Sequence, residues 1–140
     1  MKLRSGTAVI TGAASGIGFG LAEAAAERGM SVVLADVEAG ALKEAEEAIA
    51  TRGVRTLAVV ADVSDADSVQ ALADRVFEDF GEVALLCNNA GVSVGVTQRI
   101  WELGRSDWEW LMGVNFFGLI HGLDAFLPRM MEQVSRSHIL

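Results

Sequence analysis

Short apolar runs alternate along the chain with longer segments in which apolar residues recur at helical spacing. This alternation predicts βαβ units and a parallel sheet. The apolar runs at residues 7–11, 31–36 and 56–62 are predicted strands. A fourth run, at residues 83–88, is almost entirely apolar, which is typical of a strand covered on both faces. We therefore expect it near the centre of the sheet.

Helices are predicted at residues 17–28, at residues 38–52 and up to Phe80, with Ser64 as the N-cap of the third. Gly29 and Gly53 lie where the first two helices should end. In each helix, residues at helical spacing predict the buried face. In chain order these residues are Ile17, Leu21, Ala24, Ala25 and Arg28, then Leu42, Ala45, Ala48 and Ile49, then Val69, Leu72, Ala73, Val76, Phe77 and Phe80.

A polar loop at residues 91–98 precedes a long predicted helix. Ser106 and Glu109 form a capping-box pattern at its start, it extends to about Gln133, and Pro128 should bend or end its last turns. Its most apolar part is too short for the roughly 18 apolar residues of a membrane span. Three polar residues interrupt that part, namely Asn115, His121 and Asp124.

Residues 137–140 have the pattern of a fifth strand that has just begun. The predicted fold is therefore α/β, a Rossmann-type doubly wound parallel sheet truncated after the start of its fifth strand. We expect residues 1–140 to form a single, incomplete domain.

Composition excludes several classes of function. With 11 basic and 19 acidic residues the formal net charge is −8, which argues against nucleic acid or an anionic membrane as the main partner. The single cysteine, Cys87, cannot form an intramolecular disulfide, and with two histidines it falls short of a metal-binding spacing. We therefore expect a cytoplasmic protein without a metal site. The chain has no tyrosine, so these residues support no tyrosine-based proton transfer.

A glycine-rich turn, TGAASGIG, joins the first predicted strand to the first helix. Gly12 would permit a tight turn, Gly16 a close backbone approach to a phosphate, and Gly18 close packing of the helix on the strand. Amides at the start of the helix would then face a pyrophosphate. Glycine is also common between strands and helices, so the turn alone is weak evidence. A P-loop is excluded because neither Lys2 nor Lys43 is near the turn.

Asp36, at the end of the second predicted strand, strengthens the dinucleotide interpretation. It follows Gly18 by 18 residues, where a carboxylate accepts hydrogen bonds from an adenosine ribose. Its neighbours offer no cation to a 2′-phosphate, and Asp36 would repel one, so NAD(H) is favoured over NADP(H). The alternative is a solvated charge at the end of a strand.

These features resemble the short-chain dehydrogenase/reductase family. The matching residues are Thr11, Gly12, Gly16 and Gly18 for its TGxxxGxG motif, then Asp62 and Val63, then Asn88, Asn89, Ala90 and Gly91, and finally Asn115 within VNFFG. The resemblance covers essentially the whole chain, but only the N-terminal, cofactor-binding half of such a protein.

The resemblance implies a role for each matched segment. Asp62 and the Val63 backbone would hold the adenine, the segment from Asn89 to Gly91 would line the ribose and nicotinamide side, and Asn115 would be the catalytic residue present. The expected cofactor-binding residues are Gly12, Ser15, Gly16, Ile17, Gly18, Asp36, Val37, Asp62, Val63, Asn89, Ala90 and Gly91. The plainer alternatives are a helix cap for Asp62 and turn residues for Asn88 and Asn89.

Asn115 shares a predicted helical stripe with apolar residues, so it should be partly buried and must find hydrogen-bond partners. The stripe consists of Trp108, Leu111, Met112 and Leu119. In the family this asparagine is associated with a bound water and a proton relay. The alternative is an asparagine satisfied by helix backbone without a function.

Other reactive or aromatic residues receive structural interpretations. Trp101, Trp108 and Trp110 are interpreted as packing or subunit contacts rather than a base-stacking platform, given the acidic charge. Cys87 is interpreted as a small core residue, and His121 as a hydrogen-bonded structural histidine.

The implied activity is hydride transfer between nicotinamide and an alcohol or carbonyl substrate. The serine, tyrosine and lysine of the family would lie beyond Leu140, so we predict that the chain is inactive alone. An uncovered apolar sheet edge and helix predict a homo-oligomer. The alternative is a non-catalytic dinucleotide-binding or assembly module. A Rossmann-type methyltransferase is a weaker alternative, disfavoured by the segment from Asn88 to Gly91 and by Asn115.

Overall fold

The computed structural model of the chain describes residues 5–95 and 99–140. Lys2 and the last three residues of the predicted loop 91–98 lie outside that part of the chain. In chain order the elements are β1 (Thr7–Thr11), α1 (Gly16–Ala26), β2 (Ser31–Asp36), α2 (Ala39–Ala50), β3 (Thr56–Val60), α3 (Ala66–Phe80), β4 (Leu85–Cys87), a 3₁₀ turn (Ile100–Glu102), α4 (Arg105–Met112), a π-helical turn (Gly113–Phe117), α5 (Gly118–Glu132) and β5 (His138–Ile139).

The described strands form one parallel sheet of five strands in the order β3-β2-β1-β4-β5. β1 and β2 pair over five positions, and β5 pairs with β4 at two. In a parallel sheet the carboxyl ends of all strands meet at one edge. The α/β, Rossmann-like class predicted from the sequence is confirmed, and β4 lies inside the sheet as expected.

Each face of the sheet has its own hydrophobic core. On one face α1 and α2 pack through small and aliphatic residues such as Ala22, Leu42 and Ile49. On the other face α3 and α5 meet over the strands, and the rings of Phe77 and Phe126 lie 5.9 Å apart between centroids. Burying a side chain as completely as Phe126 stabilises the fold by about 1.5–3 kcal/mol. Helices on both faces make the sheet doubly wound.

The predicted buried face of α1 is confirmed at Ala25 and wrong at its two ends, Ile17 and Arg28. Ile17 is 79% exposed and Arg28 is also exposed, whereas small residues point to the sheet. The buried residues are Gly18, Ala22, Ala25 and Ala26. A Cβ at Gly18 would collide with the carbonyl of Gly12, so the small face lets α1 lie close to the turn that precedes it.

The buried faces of α2 and α3 agree better with prediction. In α2, Leu42, Ala45 and Ile49 are buried and Ala48 is exposed. The predicted N-cap of α3 is wrong, because Asp65 is the N-cap and accepts from the backbone N–H of Asp67. The α3 residues confirmed as buried are Val69, Leu72, Ala73, Val76 and Phe77.

β4 is shorter than the predicted strand because a side chain binds the backbone that precedes it. The amide of Gln133 accepts a hydrogen bond from Val83 N (3.1 Å) and donates one to Val83 O (2.7 Å). Val83 thereby has both backbone groups satisfied without a neighbouring strand.

The predicted capping box of the long helix is also wrong. The helix begins at Arg105, where Gly104 is the N-cap and its N–H donates to Asp107 Oδ2 (2.8 Å). Glu109 instead pairs with Arg105 (2.6 Å). Pro128 lies inside α5, which continues to Glu132, close to the predicted end.

The continuous helix Arg105–Glu132 is, by length and mean hydropathy, apolar enough to cross a membrane. This differs from the sequence expectation, which counted Asn115, His121 and Asp124 as interruptions. The same helix packs in the fold, where Phe126 is fully buried against α3. Because core helices of globular domains also meet the length and hydropathy criteria, this one helix is weak evidence for a membrane span.

Candidate functional site

The carboxyl ends of β1, β2, β3 and β4 border one cleft of about 740 Å³. All twelve residues predicted to bind a dinucleotide line it, so the fold brings the four separate sequence segments together. Six further residues line the cleft and were not predicted as site residues, namely Glu38, Ala61, Ser64, Val92, Trp110 and Val114.

The glycine-rich turn forms the floor of the cleft. Gly12 and Gly16 have φ angles of +65° and +55°, a region that side chains other than glycine rarely adopt. Among the described residues outside its own helix backbone and chain neighbours, no atom lies within 4 Å of a Cβ placed at Gly16, so its backbone is open to the cleft. The N-cap of α1, Ser15, makes no side-chain cap, and its first turn contains no acidic residue. These amides fit a bound pyrophosphate.

Thr11 links the glycine-rich turn to the end of β4 through hydrogen bonds. Its buried hydroxyl donates to Cys87 O (3.3 Å) and accepts from the backbone N–H groups of Asn89 (3.0 Å) and Ala90 (3.1 Å). The Asn89 side chain returns a hydrogen bond to Thr11 O (2.9 Å). Thr11 therefore holds the ends of β1 and β4 in register beside the cleft. Its place in the glycine motif was the only sequence signal for this role.

The carboxylate of Asp36 is half-buried and fixed at the end of β2. Oδ2 accepts from Ala14 N (3.0 Å), in the glycine-rich turn, and Oδ1 accepts from Glu38 N (3.1 Å). The carboxylate thus supports the turn as well as lining the cleft. No lysine or arginine is among the described residues that line the cleft.

The segment after β3 forms the next part of the wall. Asp62 Oδ1 accepts from the backbone N–H (2.8 Å) and the hydroxyl (2.7 Å) of Ser64. The ring of His121 on α5 forms a hydrogen bond through Nδ1 with Val63 O (2.8 Å), which agrees with its interpretation as a structural histidine. A Cβ at Gly118 would lie 2.8 Å from Val63 Cγ2, so α5 is tightly packed here.

The predicted burial of Asn115 is wrong, because its residue is exposed on the π-helical turn. The departure from regular α geometry changes which residues share its face. Its side chain is nonetheless fully engaged, since Oδ1 accepts from Val92 N (2.8 Å) and Nδ2 donates to Val92 O (2.8 Å). Val92 lines the cleft, whereas Asn115 is not among the residues that line it.

Cys87 and the partly buried Asn88 lie at the end of β4. Cys87 is a core residue, as predicted, and burial raises the pKa of its thiol to about 11. The Asn88 backbone N–H donates to Leu140 O (2.9 Å). Within the described residues, Nδ2 of the Asn88 side chain is the buried polar side-chain atom without a partner.

The tryptophans were predicted to make packing or subunit contacts, and none of them is buried within this chain. All three side chains are substantially exposed, Trp101 most of all at 74%. Trp110 is 50% exposed and lines the cleft, which its position in the sequence did not indicate.

Comparison with known proteins identifies the family. The sequence model described as short chain dehydrogenase matches residues 6–139. The chain belongs to the short-chain dehydrogenase family. This membership confirms the resemblance inferred from the motifs and sets aside the methyltransferase alternative.

Individual short-chain dehydrogenases are similar over the whole of this chain. It is 39% identical over 140 residues to a 1-deoxy-11-beta-hydroxypentalenate dehydrogenase of Streptomyces avermitilis, which covers 100% of this chain and 52% of that protein. The crystal structure of a short-chain dehydrogenase/reductase from Burkholderia phymatum in complex with NAD has 45% identity and a TM-score of 0.94, covering 99% of this chain and 49% of that one.

A second family structure was solved with a different cofactor. The alcohol dehydrogenase of the archaeon Thermococcus sibiricus, complexed with 5-hydroxy-NADP, has 33% identity and a TM-score of 0.83 over 90% of this chain and 53% of that one. Relatives with this fold therefore bind NAD or NADP-type dinucleotides. The chain spans about half the length of the curated relatives that it matches.

Proposed function

We propose that this chain is the NAD(H)-binding portion of an oxidoreductase that transfers hydride between nicotinamide and an alcohol or carbonyl substrate. The observation that carries the proposal is the single cleft in which all twelve predicted residues meet. The nicotinamide ring would supply the chemistry by accepting or releasing hydride. The residues of this chain would bind and orient the dinucleotide.

The order of the strands supports one direction for the bound dinucleotide. The amides at Ser15, Gly16 and Ile17, beside β1, would hold the pyrophosphate at the N-terminus of α1. Asp36, at the end of β2, would accept hydrogen bonds from the adenosine ribose, and Val37 would lie beside it. Since β3 lies beyond β2, adenine would lie at Asp62 and Val63. On the other side of β1, the segment after β4 from Asn89 to Gly91 would adjoin the nicotinamide ribose.

The charge of the cleft supports NAD over NADP. Asp36 and Glu38 both line the part that would receive the ribose, and no described lining residue is a lysine or arginine. A 2′-phosphate there would meet like charge without a compensating cation. We therefore propose NAD(H) as the cofactor.

Asn115 would act through the segment it holds. Its amide satisfies both backbone groups of Val92, which fixes the chain that follows the Asn89–Gly91 segment. The family's proton donor is a tyrosine, and this chain contains none. We propose that these 140 residues alone bind the dinucleotide without catalysing hydride transfer, and that the activity on a small alcohol or carbonyl belongs to the whole protein.

A non-catalytic dinucleotide-binding or assembly module is the second candidate, because the described residues that line the cleft account for binding a dinucleotide without supplying a proton donor. A longer form of the protein that oxidises or reduces no alcohol or carbonyl while binding NAD would favour it. For location we propose the cytoplasm, because the one cysteine is buried and free.

Cofactor titration by calorimetry tests the proposal. Wild type should bind NAD about 10- to 100-fold more tightly than NADP, on the order expected for a like charge near the 2′-phosphate. Asp36→Asn should reduce the ratio of NAD affinity to NADP affinity. Glu44→Gln, on the exposed face of α2 outside the cleft, removes the same charge and should leave the ratio unchanged.

The outcomes separate the parts of the proposal. Tighter binding of NADP by wild type would overturn the choice of cofactor. Absence of binding to either dinucleotide would overturn the assignment of the cleft.

A further inference from the structure

Trp110 is a large aromatic side chain on the wall of the cleft. It lies on α4, and half of its surface is exposed. Val114, four residues later in the π-helical turn, lines the same cleft. Both residues line the cleft, so the pair presents apolar surface to it.

This surface lies at one identifiable end of the cleft. A Cβ placed at Gly113, between Trp110 and Val114, would lie 3.5 Å from Ser64 Cβ. Ser64 follows β3 and donates to Asp62. The surface of Trp110 and Val114 is therefore next to the segment after β3, which is the outermost strand on that side of the sheet.

The chemistry of that end suits a planar, amino-bearing ring. The indole offers a π face, Val114 offers apolar surface, and one oxygen of the Asp62 carboxylate is not used by Ser64. If the pyrophosphate lies at α1 and the ribose at Asp36, the attached base reaches this end of the cleft. An exposed aromatic face there has no protein ring stacked on it among the described aromatic pairs.

We propose that Trp110 is the aromatic wall of the base-binding end, and that the adenine of the dinucleotide packs against its indole. The inference rests on the proposed function and goes beyond it by assigning a cofactor-binding residue that the family motifs do not contain. Stacking of a base on an aromatic side chain contributes enough that its loss weakens binding by about tenfold.

Calorimetric titration of the full chain with NAD and with ADP, which has the adenine but no nicotinamide, tests this assignment. Trp110→Leu should weaken the binding of both ligands about tenfold, because it removes the π face and keeps apolar bulk. Trp110→Phe should restore most of the affinity. Trp101→Leu is the matched control, since Trp101 is more exposed and does not line the cleft, and it should change neither affinity.

Each outcome has a separate meaning. NAD and ADP affinities within twofold of wild type for Trp110→Leu would overturn the inference while the proposed function remains. A loss for NAD without a loss for ADP would place the indole at the wrong end of the cleft and also overturn it. If wild type binds neither ligand, the proposed function fails and the inference fails with it. Thermal melting of each variant should match wild type, because a half-exposed side chain contributes little to the core.

Discussion

At the scale of single residues, the hydroxyl of Thr11 joins the ends of β1 and β4 through hydrogen bonds to Cys87, Asn89 and Ala90. Thr11→Val keeps the shape but leaves the N–H groups of Asn89 and Ala90 without their acceptor. We expect a loss of about 1–3 kcal/mol in the free energy of unfolding, measured by urea denaturation, together with weaker NAD binding. Thr7→Val, the same change at the other buried threonine of β1, should leave NAD binding unchanged. Unchanged stability and binding in Thr11→Val would show that the hydroxyl is dispensable.

Cys87 should be unreactive while the protein is folded. Its thiol is buried, and burial raises the pKa to about 11, so almost none is thiolate at about pH 8. Iodoacetamide should therefore modify it only after unfolding, as measured by mass spectrometry with and without urea. Because the pKa of this thiol in the folded chain lies above its ordinary value of 9.0, the unfolded chain loses the proton first, and stability should fall as pH rises above about 9. Rapid modification of the folded chain would contradict the burial.

The sequence predicted which residues line the cleft better than it predicted their surroundings. Gly12, Gly16 and Asp36 were found because turn geometry and charge require particular residue types at fixed spacing. The exposure of Asn115 was missed because a helical stripe assumes regular α geometry, and the π-helical turn changes it. Trp110 was missed because neither hydropathy nor spacing shows which side of a helix faces a cleft.

At the scale of secondary-structure elements, close packing of α5 depends on its glycines. In Gly118→Ala the new Cβ would lie 2.8 Å from Val63 Cγ2, so we expect destabilisation of about 1–3 kcal/mol in urea denaturation. Gly20→Ala is the control, because Gly20 is a helical glycine on α1 with open space around it. That change should be neutral or stabilise by up to about 1 kcal/mol, since alanine favours helix. Equal effects of the two changes would mean that α5 can move away from Val63.

The ends of elements were harder to predict than their order. β1 and β2 have the predicted bounds because apolar runs and polar flanks coincide there. The start of α4 was missed because either of two acidic residues could have formed a capping box. In the structure Asp107, and not Glu109, accepts the hydrogen bond from the backbone N–H of the N-cap, Gly104. The face of α1 was missed because its packing uses small residues, whereas the apolar stripe that was counted contains the exposed Ile17.

At the scale of the whole molecule, the helical segment from α4 to α5 leaves large apolar side chains exposed. Phe116, 48% exposed, Phe117 and Leu119 lie within one turn of each other. Exposed apolar clusters of this kind mark contact surfaces. We propose that the chain forms a homo-oligomer through this segment, and sedimentation velocity should show a mass that increases with concentration.

A pair of variants locates that contact. Phe116→Ser combined with Leu119→Ser should lower the average mass toward that of one chain, because it removes apolar surface from the cluster. Val134→Ser, at a residue that is 99% exposed beyond α5, should leave the mass unchanged. A single-chain mass for wild type at every concentration would refute the oligomer.

The alternation of strands and helices predicted a parallel sheet with helices on both faces, because an apolar strand must be covered by other elements on each side. The same pattern says nothing about what meets the exposed part of α4 and α5. Apolar residues there carry the periodicity of a buried helix, yet Trp108, Met112 and Leu119 are exposed. Contacts outside the described chain are not encoded in its local pattern.

Two amide side chains, those of Asn115 and Gln133, bind one backbone residue each, at Val92 and Val83. Asn115 lies in the π-helical turn before α5 and Gln133 is the C-cap of α5, so the two amides stand at opposite ends of that helix. Val83 and Val92 are nine residues apart, and an extended chain of that length spans roughly 30 Å. The length of the helix therefore fixes the distance between Val83 and Val92, the two ends of the antiparallel segment that contains β4. One residue inserted into α5 would turn one amide about 100° from its backbone partner, so length variation in this protein should occur in its loops and not in this helix.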